Sequence, residues 1–142
     1  MTDRQQKTIK AFFKAVEELK SSGVVRSDRY LGDIGEFICK KYLRLKPAKS
    51  TRQVGHDGEI DGKTVQVKYH GGKSTTVNCG DPSAYSLLLV VLGPRSVLRP
   101  KEAKETFLVY QFASKEIISF KKKNGQYLCL RSNLPEAPLL KL

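Results

Sequence analysis

Residues 55–70 read Gly-His-Asp-Gly-Glu-Ile-Asp-Gly-Lys-Thr-Val-Gln-Val-Lys-Tyr-His. Two short strand-like runs flank the Asp61-Gly62 pair, which is a strong local signal for a β-hairpin. The second run alternates: Val65 and Val67 face one way, and Thr64, Gln66 and Lys68 face the other. With Asp61 and Gly62 as the loop, Ile60 lies opposite Lys63, Glu59 opposite Thr64, Gly58 opposite Val65 and Asp57 opposite Gln66. Directly opposed residues share a face, with Cβ atoms roughly 4.5–5.5 Å apart, so Asp57 and Gln66 could hold one small ion between them. Lys68 stands about 6–7 Å further along that face. A β-bulge in the first strand would change this arithmetic.

The chain around this hairpin has 142 residues, of which 39% are apolar. That suits one domain, with a core over about 28–131, a preceding helix and an irregular tail at 132–142. No apolar run approaches the roughly eighteen residues of a membrane span, and no apolar signal core follows the N-terminus. The expectation is a cytoplasmic protein that does not enter a membrane. Cys39, Cys79 and Cys129 are widely spaced and odd in number, which suits buried thiols better than a zinc site or a disulfide framework. Lys and Arg number 26 against 14 acidic residues, a formal charge of +12. Such a charge on a small chain calls for an anionic partner, and nucleic acid leads.

Apolar residues Ile9, Phe12, Phe13, Val16 and Leu19 predict an amphipathic helix over 7–20, packed on the sheet or on a partner subunit. A second helix is expected over roughly 28–44, capped by Ser27 or Asp28. Its apolar stripe is Leu31, Ile34, Ile38 and Tyr42. Gly32 and Gly35 interrupt it at a cost of about 1 kcal/mol each, which suggests close approach to neighbouring backbone. Glu36 borders the stripe. It either pairs with Lys40 one turn on or turns toward an ion site.

The first hairpin strand is placed at 50–60 and the second at 63–69. Residues 70–83 read as loop, and His70, Lys73, Ser74, Thr75 and Thr76 there are candidate phosphate contacts. Residues 84–92 form an unbroken apolar run, as in a central strand covered on both faces. A basic loop follows at 95–105, with Arg95, Arg99 and Lys101 as further nucleic-acid contacts. Strand 106–112, a short helical turn through Phe120, an exposed Lys121–Lys123 turn and an edge strand at 126–131 complete the order. The fold class is α/β, a mixed sheet with helices packed on it.

Three features in this order resemble the PD-(D/E)xK, restriction-endonuclease-like superfamily, in its Mrr-like and Holliday-junction-resolvase-like branch. They are Gly35-Glu36-Phe37-Ile38 on the helix, Gly55-His56-Asp57-Gly58 at the strand end and Val65-Gln66-Val67-Lys68 on the second strand. The resemblance implies a restriction-endonuclease-like sheet and a metal-dependent DNA endonuclease. It assigns Asp57 as the central ligand of Mg2+, with Mn2+ as a substitute. Gln66 takes the place of a second acid, Val67 offers a main-chain carbonyl, Glu36 completes the metal sphere and Lys68 serves the attacking water or the developing charge. His56 stands where relatives carry proline. Gln66 brings an oxygen but no charge, which weakens the hold on a metal.

The chemistry suits these residue types. Phosphodiester hydrolysis needs a cation at the scissile oxygens, and Mg2+ prefers hard oxygen ligands. DNA is then the partner, and a homodimer the simplest way for so small a chain to cut two strands. Two other readings stand beside it: a non-catalytic nucleic-acid-binding protein on the same fold, and a basic subunit of a larger assembly.

Overall fold

In the computed structural model, which describes residues 1–50 and 55–142, the Asp61-Gly62 turn has φ of 49° and 76°. Both values are positive, as a tight turn matched to the twist of its strands requires. The turn joins β2 (Gly58–Ile60) to β3 (Lys63–His70). Their register is Gly58↔Val65, Glu59↔Thr64 and Ile60↔Lys63, the one the turn predicts. The ladder stops there. The Asp57 N–H donates to the Val65 carbonyl at 2.8 Å, so Asp57 shares a partner with Gly58 instead of pairing with Gln66 through the backbone. Residues 51–54, part of the strand expected over 50–60, lie outside the described residues.

On the far side of β2 lies β1 (Lys46–Pro47), antiparallel to it. Gly58 is required here, because a Cβ at that position would collide with the Lys46 carbonyl oxygen. On the other side, β3 pairs in parallel with β5 (Leu87–Leu92). β5 pairs antiparallel with β6 (Leu108–Ala113), which pairs antiparallel with β8 (Leu140–Lys141). Among the described residues this makes a six-stranded mixed sheet of order β1-β2-β3-β5-β6-β8. Leu88–Leu92 are fully buried, as expected of a central strand with both faces covered.

The two faces carry separate cores. Val65, Val67, Leu89, Val91 and Val109 pack with Ile38, Cys39 and Leu45, on the side of helix α2 (Tyr30–Leu43). Gly35 lets α2 approach this face: a Cβ there would sit 3.4 Å from Cβ of Tyr69. Gly32 has open space and no such reason. On the opposite face Leu88, Val90, Leu92, Tyr110 and Phe112 pack with Ile117 of α3 (Ser114–Ile117) and with a two-stranded sheet. That small sheet pairs β4 (Thr76–Asn78) with β7 (Leu128–Leu130).

Several expectations are corrected. The loop at 70–83 contains β4, and the strand expected at the sheet edge over 126–131 is β7, its partner in the second sheet. One edge of the six-stranded sheet is instead β8, in the tail read as irregular. Pairing partners lie far along the chain, Thr76 with Leu130 and Leu108 with Lys141, and leave no local pattern, so this pairing is set by tertiary contact.

Helix α1 (Asp3–Ser21) starts four residues earlier than expected. Thr2 caps it: its hydroxyl accepts from Gln5 N–H at 3.3 Å, while Gln5 Oε1 accepts from Thr2 N–H at 2.7 Å. Val16 is its buried residue, whereas Ile9, Phe12 and Phe13 stay exposed. α2 has no side-chain cap from Ser27 or Asp28; its N-cap is Arg29. All three cysteines are free and buried, as expected, and burial pushes the Cys39 and Cys129 thiols up to about 12. Among the described residues no helix is long and apolar enough to cross a membrane.

Candidate functional site

Where the β2–β3 ladder ends, Asp57 is free to point its carboxylate along β3. Its Oδ2 accepts from Val67 N–H at 2.7 Å and from Gln66 Nε2 at 2.5 Å. The same Gln66 Nε2 lies 3.3 Å from the Val67 carbonyl oxygen. Asp57 and Gln66 therefore meet as expected, but through side chains and one residue further along β3 than backbone pairing would bring them. The cause is the shared Val65 carbonyl, which holds Asp57 beside Gly58.

Glu36 reaches this region from α2. Its side chain is 16% exposed, and its Oε2 is paired with Arg26 Nη2. The i,i+4 pair with Lys40 is not the one formed. Burial, and next the negative charge of Asp57, raise the Glu36 carboxyl above its ordinary range; Arg26 and Arg29 oppose this. Two carboxylates thus lie close enough to feel each other, in partial shelter from water.

An open groove joins these residues. It is lined by Glu36, Asp57, Gln66, Val67, Lys68, His70, Lys73 and Ser74, together with Arg29 and the Gly71-Gly72 loop. Lys68 is half-buried in it. A second hollow runs from the same two carboxylates toward Arg26, Ser27, Arg29, Ser50 and His56. The helix, the strand end and the second strand supply one residue or more each, as the sequence order requires.

Other expected contacts lie elsewhere. Arg99 is buried, and its guanidinium donates to the carbonyls of Leu92 and Thr106 at 3.2 Å and to that of Glu105. It ties the loop after β5 to the start of β6 and presents no charge to a phosphate. Burial also corrects the reading of His70 as a surface contact. Its Nδ1 is 2.7 Å from Ser96 Oγ, while Nε2 has no hydrogen-bond partner among the described residues. Burial holds the imidazole below its ordinary range, partly opposed by the Ser74 backbone nearby. Arg95 and Lys101 are exposed, as is Thr75, but none of the three lines the groove.

Sequence reasoning missed Asp33, Arg26 and Arg29. Asp33 is 3% exposed. Its Oδ2 accepts from the N–H groups of Arg26 at 2.7 Å and Ser27 at 2.6 Å, and Oδ1 accepts from Ser27 Oγ at 3.2 Å. It thereby fixes the segment that delivers Arg26 to Glu36. One signal existed: Asp33 and Glu36 are three apart on α2, so they share a helical face. Nothing local marks Arg26.

Among the described residues no three His, Cys, Asp or Glu side chains gather to hold a metal ion. The oxygen donors here are of mixed type: two carboxylates, an amide and a main-chain carbonyl. They still suit a hard cation. Gln66 Nε2 donates to both Asp57 Oδ2 and the Val67 carbonyl oxygen, so both oxygens already accept from one positively polarised group. No protein-family model matches this chain, and no curated protein matches it.

Proposed function

We propose that this protein is a metal-dependent DNA endonuclease of restriction-endonuclease-like fold, hydrolysing phosphodiester bonds with metal-activated water. The observation that carries the reading is the meeting of Glu36, Asp57, Gln66, Val67 and Lys68 along one open groove, from three separate chain segments. The mixed sheet with α2 packed on one face is the framework this reading needs.

Asp57 Oδ2 and the Val67 carbonyl would hold Mg2+, with Glu36 as the second carboxylate and Gln66 as a neutral oxygen once its amide turns over. Bound there, the ion would polarise a phosphate oxygen and lower the pKa of bound water. The chain's own groups do the rest. Lys68 sets a positive charge beside the same strand, where negative charge develops on the phosphate. Arg29 and Lys73 also line the groove and suit the flanking phosphates.

Cleavage of labelled linear, supercoiled and four-way-junction DNA with Mg2+, Mn2+ or EDTA tests the proposal. Wild type is expected to cut with metal alone. Asp57→Ala and Lys68→Ala should each lose roughly 10²-fold or more of that activity, the usual scale for removing one electrostatic partner of a transition state. Cutting that survives both substitutions would sink the assignment.

One observation favours a second reading. The Asp57 carboxylate is already satisfied by its own chain, through Val67 N–H and Gln66. A groove so arranged could bind a nucleic-acid backbone without cutting it. Intact DNA on every substrate, with tight binding kept in Asp57→Ala, would establish that reading instead.

A further inference from the structure

Arg26 is the more exposed partner in the ion pair with Glu36. Its backbone is pinned: the N–H donates to buried Asp33, and the preceding Val25 is buried with its own N–H on the Leu19 carbonyl at 3.2 Å. The side chain reaches toward solvent, 45% exposed against 16% for its partner Glu36. Arg29 acts on the same carboxylate but has no contact with it as close as that of Arg26 Nη2. A guanidinium thus sits on the carboxylate that a cation would need, on a stem that can turn into the adjoining hollow while its base stays fixed.

We infer that Arg26 is a resident counter-cation that gives up Glu36 when a divalent cation enters and then carries its charge to a backbone phosphate of the bound nucleic acid. This rests on the metal site proposed above. The physical argument is charge balance. Glu36 and Asp57 repel each other in a half-sheltered place, and a positive group beside Glu36 offsets that repulsion. A divalent ion satisfies both carboxylates at once and leaves the guanidinium without an anion. A phosphate at the groove is the anion a planar five-donor fork suits best. Cation and DNA therefore assist each other's binding through Arg26, and by linkage the assistance is reciprocal.

The test compares wild type, Arg26→Met, Arg26→Lys and Asp57→Ala at about pH 8, where carboxylates are ionised. Arg26→Met keeps the apolar stem, and Arg26→Lys keeps the charge. Calorimetric titration with Mn2+ in the absence of DNA is expected to show Arg26→Met binding about three- to tenfold more tightly than wild type, because the competitor is gone. Arg26→Lys should return toward the wild-type value.

Binding of a short duplex should show the opposite sign. In EDTA, wild type and Arg26→Met should agree within about twofold; with Ca2+ the variant should be about five- to tenfold weaker. Equal Mn2+ affinity in wild type and Arg26→Met overturns the inference while leaving the metal site standing. So does a DNA-binding loss of the same size with and without cation. Wild type that takes up no Mn2+, or Asp57→Ala that takes up as much, overturns the metal site and this inference with it.

Discussion

At the scale of single residues, the hairpin was open to reading because its causes are local. Asp61 and Gly62 tolerate the positive φ values they adopt, and three backbone pairs follow by counting outward from the turn. Asp57 escaped the count because one carbonyl, that of Val65, takes up its N–H. Arg26 and Arg99 could not be placed at all. Long cations have no periodic signature, and one of them is buried against backbone carbonyls while the other meets a carboxylate ten residues away. His70 permits a pH prediction. Burial holds its folded-state pKa below the ordinary value of about 6.5, so the unfolded chain takes up the proton first. Stability is complete above about pH 6.5 and is lost as pH falls from there toward the depressed pKa. Urea unfolding at a series of pH values should show this fall in wild type. In His70→Asn, which keeps an acceptor for Ser96, the fall should shrink.

At the scale of elements, the segment between α1 and α2 is held by one carboxylate. Asp33 accepts three hydrogen bonds from Arg26 and Ser27. Removing it strands partly buried donors, so Asp33→Ala should cost about 1–3 kcal/mol in denaturant unfolding, and Asp33→Asn clearly less. An equal loss in both would mean that the charge, not the acceptor geometry, matters. The helices were legible from their apolar spacing, and α2 was placed within two residues at its start and one at its end. Their ends were less so. Thr2 lies outside the periodic stretch that announces α1, and α2 is secured by Asp33 from inside its first turn instead of by a residue before it. The strands β4 and β8 were missed, and β7, expected as a strand, was put in the wrong sheet, for a different reason: each is two or three residues long and pairs with a distant strand.

At the scale of the whole molecule, a formal charge of +12 surrounds a groove bordered by Arg26, Arg29, Lys68 and Lys73. If these four neutralise phosphates, the logarithm of duplex affinity should fall with the logarithm of salt at a slope of roughly −3 to −4. Filter binding across a salt series with Ca2+ present, when Arg26 is released from Glu36, measures it directly, and a slope near −1 would show that the groove cations do not meet the backbone. The sheet class was legible at this scale from one feature, the uninterrupted apolar run that became β5. A strand buried on both faces requires layers on each side, and two cores are found there.

Among the described residues the six-stranded sheet ends at each margin in a strand of two residues. One margin is β1, whose Pro47 has no N–H to offer a neighbour; the other is β8, which carries Lys141. Long bare margins recruit strands from other chains and seed aggregates, and these two margins are too short and too awkward to do so. The consequence is colloidal. Concentrated protein should resist joining at these two margins, and the exposed Ile9, Phe12 and Phe13 of α1 offer two copies an apolar surface instead.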